Sequence, residues 1–399
     1  MDFALNGFKV VDLTQGIAGP YCTKLFADFG ADVIKVEKPG VGDISRRAGP
    51  FPNDIPDRER SGLFLYLNTN KKSVTIDIKT AAGKKLLRRL VAEADLLVES
   101  YRPATRERLG LDYDALSAEN PKLVMVSVSS FGQTGAYRDC EATELTLEAA
   151  AGGVYPRGDR DKAPIKLGGA QLQYMGGVSA FIAALGALFQ RDMDGKGQYV
   201  DVSIAEAMAS NLEGAHATYA YLGLVKGRVV SRYIFGHPVG YYPCKDGYVG
   251  LMPGLGGMEA LALLLGKPEL EDEPLFKDHR LRQERADEFD QTYLLPFLKE
   301  HDKRELEQRG QELRMPFAAV LSPGELLGDP QFKAREFFVT VDYPRTGPLT
   351  YPGAPFKLGE TGFKVGKAPE LGEHNTEVFC RMLGYAQEDL VRLRGQGVI

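Results

Sequence analysis

The stretch that decides the fold reads FKVVDLTQGIAGPYCTKLFADFGADVIKVEKPGVGD, from Phe8 to Asp43. It opens with a short apolar run at 8–13, continues with a helix that starts at the small residues from Gly16 onward, and reaches a second apolar run from Ala31 to Glu37. This order predicts a strand, a helix and a second, parallel strand, the unit from which α/β proteins are built. In such sheets, ligands bind beside the carboxyl ends of the strands.

The alternation of helical and strand patterns continues along the first half of the chain. The further predicted elements are helices at 81–94, 114–119 and 177–190 and strands at 95–99, 123–128 and 198–202. We therefore expect an α/β protein with a Rossmann-like large domain.

The sequence pattern changes near residue 222, where the hydrophobic periodicity is lost and basic residues become frequent. The segment YYPCKDGYVGLMPG, which begins at Tyr241, reads as a hairpin, and charged helical patterns follow it. The predicted division is a large domain at 1–221, a linker at 222–240, a smaller α+β domain at 241–325 and a return to the large domain at 326–399.

Composition limits the class of protein. The 399 residues are 44% hydrophobic and 26% charged, as in globular enzymes with room for two domains. The formal net charge of −5 argues against a broad nucleic-acid-binding surface, and the longest apolar run, Phe181–Phe189, is too short to span a bilayer. The first residues lack the pattern of a secretory signal, and the four cysteines are scattered without a C-x-x-C motif. We expect a cytoplasmic protein without a metal site or a membrane partner.

The loop after the first predicted strand, TQGIAG at 14–19, could belong to a dinucleotide site. Glu37 stands where a ribose-binding acid would lie, but the loop contains only Gly16 and Gly19 and lacks the G-x-G-x-x-G set. The motif therefore does not favour NAD or FAD.

Several segments in a fixed order resemble the family III CoA-transferases, the group that contains formyl-CoA transferase, carnitine CoA-transferase and alpha-methylacyl-CoA racemase. These segments are the opening stretch at 8–43, NTNKKS at 68–73, ADLLVESYRPATRERLGLDYDAL at 94–116 and APELGEHNTEVF at 368–379. The resemblance implies CoA esters as substrates, no permanently bound cofactor, and two chains that interlock like linked rings.

The resemblance also draws attention to Gln173. In the family an aspartate lies four residues before the glycine that opens the predicted helix, which is Gly177 here, and upstream of a turn that matches GKGQ at 195–198. Counting back from Gly177 and counting back from the GKGQ turn both lead to Gln173. The aspartate attacks the acyl-CoA thioester and forms covalent intermediates, whereas a glutamine amide is neutral and a poor nucleophile. Without the resemblance, Gln173 is simply a polar residue near the start of a helix.

The same family resemblance also indicates which residues would bind CoA. It places Gln15, Ile17 and Ala18 along the pantetheine end and Lys38 near the nucleotide. Ile17 departs from the polar residue of the formyl-CoA branch.

The phosphate groups of CoA need cationic donors. Lys71, Lys72 and Arg108 are candidates because they follow predicted strand ends, and the loop around Tyr101 and Arg108 matches the adenine side of the family's site. Each cation can equally be a solvated surface charge.

Glu144 aligns with a carboxylate that helps to hold the reacting centre in the transferase branch. The racemase branch has a His-Asp pair where this chain has Thr143 and Glu144, which disfavours racemisation. The spacing of Glu141, Glu144 and Glu148 also suits a solvated helix face.

Three functions stay open at this point. The first is the non-catalytic subunit of a heteromeric family III CoA-transferase, whose paralogous partner carries the aspartate; the chain resembles the aspartate-lacking subunit type of succinyl-CoA:(R)-benzylsuccinate CoA-transferase of anaerobic aromatic degradation. The second is a stand-alone acyl-CoA transferase, hydrolase or lyase that uses Glu144. The third is a CoA-ester binding protein without catalysis. The aromatic residues near the site suit an aromatic acid or ordinary core packing, and they are Tyr21, Phe51, Phe64, Tyr66 and Tyr174.

Overall fold

The structure, a computed structural model, describes residues 3–159, 161–225, 227–228, 236–253 and 257–399. The chain forms two compact units. The large unit contains Met1–Gly153, Leu167–Gly214 and Lys333–Ile399, and the small unit contains Val154–Lys166 and Ala215–Phe332.

The strands are β1 Lys9–Leu13, β2 Asp32–Glu37, β3 Lys72–Thr75, β4 Leu96–Glu99, β5 Val124–Ser129, β6 Tyr199–Ser203, β7 Gly240–Cys244, β8 Gly247–Leu251, β9 Phe317–Ala319, β10 Phe338–Tyr343 and β11 Gly347–Pro352. The helices are α1 Ala18–Asp28, α2 Gly62–Leu67, α3 Ala81–Ala92, α4 Pro103–Leu109, α5 Tyr113–Glu119, α6 Glu144–Ala150, α7 Gln171–Asp194, α8 Ile204–Ala209, α9 Glu213–Leu222, α10 Gly257–Leu264, α11 Pro274–Lys277, α12 His279–Glu284, α13 Ala286–Phe289, α14 Leu295–Leu298, α15 Lys303–Glu312, α16 Pro323–Gly328, α17 Pro330–Ala334 and α18 Gln387–Gly395.

The core of the large unit is a six-stranded sheet in the order β3-β2-β1-β4-β5-β6, and every pairing in it is parallel. The central strands β1, β4 and β5 are almost entirely buried, as expected for a parallel sheet that is covered on both faces. This is the strand order of the Rossmann fold. Strands β1 to β3 follow one another towards one edge of the sheet and β4 to β6 towards the other, so the order of the strands reverses between β1 and β4. The predicted α/β, Rossmann-like fold class is confirmed.

Helices cover both faces of this sheet. On one face, α1, α6, α7 and α8 contribute apolar side chains to a common core with the strands. On the other face, α3, α5 and α18 pack together with the C-terminal residues Val398 and Ile399. This arrangement leaves the edge at the carboxyl ends of the strands free to bind a ligand.

The helix α7 is longer than the sequence pattern suggests. It runs from Gln171 to Asp194 instead of the predicted 177–190. The residue after it, Gly195, has a left-handed φ of 77° that terminates the helix. At its other end the backbone N–H of Leu172 donates to the Glu144 carboxylate, 2.8 Å away. This cap comes from a different helix, so local sequence could not reveal it.

By length and composition, α7 could also cross a membrane, since an 18-residue window within it has a mean hydropathy of 1.6. The apolar core helix of a soluble protein satisfies the same criterion. Here Leu172, Ala180, Ala184 and Leu188 pack into the core beside the sheet, which accounts for the apolar character of that side of the helix.

The small unit is built on an antiparallel sheet in the order β7-β8-β9, with the α10–α15 helices packed into its core. The hairpin predicted from Tyr241 is confirmed as β7 and β8. The unit consists of Val154–Lys166 and Ala215–Phe332, whereas the predicted small domain comprises 241–325. Of the predicted linker at 222–240, residues 226 and 229–235 lie outside the described residues.

Candidate functional site

A cleft of about 230 Å³ opens at the carboxyl edge of the parallel sheet, in the large unit. The chain segments that follow β1, β2, β3 and β4 form its walls, so it lies at the point where the strand order reverses. Four residues named from the sequence line it together: Gln15, Lys38, Tyr101 and Arg108. Ile76, Asp77, Ile78, Lys79 and Thr105 are among the other lining residues.

The cleft presents three exposed cations, Lys38, Lys79 and Arg108. Within the described part of the chain, none of the three forms an ion pair. Exposed cations without an ion-pair partner among the described residues suit a polyanionic ligand, since a charge-assisted hydrogen bond to a phosphate is stronger than a neutral one. Tyr101 adds a half-buried aromatic ring, and burial raises the pKa of its hydroxyl to about 12. Cations and an aromatic ring are the groups that a site for a phosphorylated nucleotide requires.

Lys79 was missed by the sequence reasoning, which chose Lys71 and Lys72 instead. The structure does not bring Lys71 to the cleft. Its ammonium group is buried and donates to Asp12 at 3.0 Å, Thr23 at 2.8 Å and Asn68 at 2.9 Å. Burial lowers its pKa to about 8, against the pull of Asp12.

Lys72 is the first residue of β3, so it lies at the amino end of the strand, away from the cleft edge. Its ammonium group pairs with Asp32 at 2.9 Å and Glu377 at 3.2 Å. Lys79 instead follows β3 at the carboxyl end. The feature of the sequence that could have identified Lys79 is its position after β3, whereas Lys72 is the first residue of that strand.

The turn between β1 and α1 leads from the cleft towards α7. Gln15 is exposed in the cleft, Ile17 is the N-cap residue of α1, and Ala18 is buried. The α-carbon of Gly177 faces this point, because a β-carbon there would lie 2.6 Å from the carbonyl oxygen of Ala18. Only glycine permits this close approach of α1 and α7.

Gln173 lies in the first turn of α7, one helical turn before Gly177. Residues four apart share a helix face, so Gln173 is on the same face of α7 that meets the start of α1. The residue is half-buried, and its side-chain amide makes no hydrogen bond with any group in the described ranges. The structure thus places the predicted nucleophile position beside the Ile17–Ala18 turn.

Glu144 is brought to the same place. One carboxylate oxygen accepts the Leu172 N–H at the start of α7, and the other is buried without a hydrogen-bond partner among the described residues. A carboxylate here is stabilised by the positive end of the helix dipole. Glu144 is therefore held at the start of α7 rather than on a solvated helix face. Glu148 is fully buried and accepts from the Leu167 N–H at 3.2 Å.

Three tyrosines pack around this helix start. The rings of Tyr21 and Tyr174 meet edge to face with centroids 4.9 Å apart, and Tyr66 lies 6.4 Å from each. Each ring is half-buried, and burial raises the pKa of all three hydroxyls. The tyrosines stay neutral near pH 7 and add no negative charge beside Gln173.

Comparison with known proteins agrees with this geometry. The family model described as CoA-transferase family III matches residues 5–375. A succinyl-CoA--D-citramalate CoA-transferase of Chloroflexus aurantiacus is 34% identical over 399 residues, covering 99% of this chain and 98% of the relative. The subunit BbsE of succinyl-CoA:(R)-benzylsuccinate CoA-transferase from Thauera aromatica is 34% identical over 97% of this chain and 96% of its own.

The fold comparison gives the same result. A crystal structure of a CAIB/BAIF family protein from Brucella suis superposes with a TM-score of 0.86 and 29% identity, over 96% of this chain and 100% of that one. A family match over most of the length, relatives above 30% identity and this superposition leave one assignment: the chain belongs to CoA-transferase family III.

Proposed function

We propose that this chain is the nucleophile-lacking subunit of a heteromeric family III CoA-transferase. The complex would move CoA between an acyl-CoA, such as succinyl-CoA, and a carboxylic acid acceptor, such as benzylsuccinate. The observation that carries the proposal is Gln173, which lies in the first turn of α7 where the family resemblance places an aspartate.

The chemistry explains why one residue is decisive. A carboxylate attacks the thioester carbonyl, which forms a mixed anhydride and releases the CoA thiolate; the thiolate then attacks the enzyme's carbonyl and releases the free acid. The side-chain amide of Gln173 is neutral, and its oxygen is a much weaker nucleophile than a carboxylate oxygen, so Gln173 cannot start this sequence. A paralogous subunit with aspartate at this position would supply the nucleophile.

The rest of the site supports retained binding of CoA esters. Lys38, Lys79 and Arg108 would hold the phosphate groups, and Tyr101 would pack on the adenine. Gln15, Ile17 and Ala18 would guide the pantetheine chain towards Gln173. CoA and its esters are then substrates, with no permanently bound cofactor.

Two observations support a protein partner. BbsE, a relative of the same length, is named as a subunit. In addition, α7 carries an exposed apolar stripe at helical spacing, formed by Val178, Ile182, Phe189 and Met193. Stripes of this kind are typical of surfaces that a partner covers. The partner would be a paralogous chain, interlocked with this one in the cytoplasm.

A second candidate function rests on Glu144. Its unpaired, buried oxygen lies at the start of α7, next to the position of the missing aspartate. A stand-alone enzyme would use this oxygen as nucleophile or base. A CoA-ester binding protein without any catalytic partner is the remaining alternative.

The test compares the purified chain with its Gln173→Asp variant after incubation with succinyl-CoA. Intact-mass measurement detects a covalent adduct, and hydroxylamine cleaves an aspartyl-CoA thioester, which releases CoA and leaves a hydroxamate on the protein. We expect no adduct on the natural chain and an adduct on Gln173→Asp, because the variant restores the carboxylate.

Gln173→Asn is the matched control, since asparagine has the shape of aspartate without the charge; it should stay unmodified. Turnover by the natural chain alone that is lost in Glu144→Gln would contradict the proposal and support the stand-alone enzyme.

A further inference from the structure

The turn from Thr14 to Gly16 is held by groups beneath it. The Thr14 N–H donates to Asp12 at 2.8 Å, and the Gln15 N–H donates to the Ser100 hydroxyl at 2.9 Å. The Gly16 N–H donates to the Asp43 carboxylate at 3.1 Å. These three acceptors come from β1 and from the segments after β4 and β2, so the turn is fixed from three directions.

Of the three acceptors, Asp43 is the one that joins this turn to the chain segment after β2. The carboxylate oxygen that receives the Gly16 N–H also accepts from the backbone and hydroxyl of Ser45, both at 2.8 Å. Its other oxygen lies 2.8 Å from the ammonium group of Lys35. The same ammonium donates to the carbonyl oxygen of Thr14 at 2.9 Å. One ion pair therefore holds both a carbonyl and an N–H of the turn.

This ion pair is almost completely inaccessible, since Asp43 is 1% exposed and Lys35 is 0% exposed. Burial disfavours the charged form of both groups, but the attraction between opposite charges outweighs it. Lys35 lowers the pKa of the Asp43 carboxyl, and Asp12 together with Asp43 raises the pKa of the Lys35 ammonium group. Replacing a buried ion pair by apolar residues often costs no stability, so stability is a weak reason for this one. A requirement for a fixed geometry is a stronger reason.

The held turn is the link between the cleft and Gln173. Gln15 lines the cleft, and Gly16 adopts a left-handed φ of 82° that directs the chain into α1. Ile44, one residue after Asp43, covers Gly16 from the other side, with 3.5 Å between its terminal carbon and the position of a β-carbon on Gly16. Movement of this turn would displace Gln15 and the start of α1 together.

We propose that Asp43 is a positioning residue for CoA. It does not touch the ligand; it acts through the Gly16 N–H and so fixes the backbone that lines the cleft. The inference rests on the proposed binding of CoA esters in this cleft. A purely local role is the alternative, because Asp43 also caps the short 3₁₀ helix Ile44–Arg47.

The experiment measures CoA affinity by isothermal titration calorimetry, and thermal stability, on the full chain together with any partner that copurifies. Asp43→Ala removes the acceptor of the Gly16 N–H and should weaken CoA binding about tenfold, the typical effect of one lost hydrogen bond in a buried site. Asp43→Asn keeps an oxygen that accepts from the Gly16 N–H but loses the ion pair with Lys35, so its loss of affinity should be smaller than that of Asp43→Ala.

Asp28→Ala is the control for stability alone. Asp28 is buried and ion-paired with Lys24, also on α1, but it lies at the end of that helix away from the turn. It should lower the melting temperature and leave CoA affinity unchanged. If Asp43→Ala does not fold, Asp43→Ser replaces it, since serine still caps a helix but its shorter side chain does not reach Gly16.

The outcomes separate the two proposals. Loss of affinity in Asp43→Ala with a smaller loss in Asp43→Asn supports the positioning role. Unchanged affinity in a folded Asp43→Ala, or equal losses in the alanine and asparagine variants, overturns it while the proposed function stands. A natural chain that binds no CoA at all overturns both.

Discussion

At the scale of single residues, Gln173 differs from the family's aspartate in charge and in length. Glutamine has one more methylene group and no negative charge, so it changes what the start of α7 can offer a thioester. The positive end of the helix dipole favours a carboxylate at this place. Glu144 meets this end of the dipole through the Leu172 N–H. Under the proposed function, the site therefore has a carboxylate at the helix start but lacks the one that would attack the substrate.

A prediction at the same scale concerns the cations of the cleft. Arg108→Ala and Lys79→Ala should each weaken CoA binding by roughly tenfold or more, because each removes a charge-assisted hydrogen bond to phosphate. Titration with CoA and with dephospho-CoA measures this effect. The cation that binds the 3′-phosphate should lose the preference for CoA when it is replaced.

Lys72→Ala is the matched control, since Lys72 lies at the opposite edge of the sheet and is paired with Asp32 and Glu377. Its affinity for CoA should be unchanged. An equal loss in Lys72→Ala, or no loss in either cleft variant, would remove the cleft as the CoA site.

At the scale of elements, α7 and its contact with α1 position the site. A β-carbon at Gly177 would lie 2.6 Å from the Ala18 carbonyl oxygen, so Gly177→Ala must push α1 and α7 apart. We expect the variant to be destabilised by about 1–3 kcal/mol, as for other overpacked core positions, and to bind CoA more weakly. Chemical denaturation measures the first effect and calorimetry the second.

Gly186 provides the control within the same helix. A β-carbon there would meet no atom within 4 Å, so Gly186→Ala should stabilise the chain by about 0.5–1 kcal/mol through helix propensity alone. A Gly177→Ala variant that is as stable as Gly186→Ala would show that the close helix contact is not required.

The elements also show where sequence reasoning succeeds and where it stops. The alternation of strands and helices predicts the parallel α/β sheet, whereas Gln15, Lys38, Tyr101 and Arg108 follow from the family resemblance, and all four line the cleft. The sequence pattern starts α7 six residues too late, because its cap, Glu144, comes from another helix. Lys79 is missed because the bounds of the four-residue strand β3 are not evident from its sequence pattern.

At the scale of the whole molecule, the proposed function requires a second chain. A chain that has the family's fold, the cleft and Glu144 but glutamine at position 173 would pair with a chain that carries the aspartate. The exposed apolar stripe on α7 is consistent with such a pairing. Relatives above 30% identity include a protein named as a subunit and one that is not, so the family alone does not decide the assembly.

The most direct test is native mass spectrometry of the complex purified from its source cell. We expect a heteromer of this chain with a second family III chain of similar size, which carries aspartate at the position of Gln173. A complex that contains only copies of this chain, and that transfers CoA between acids, would contradict it.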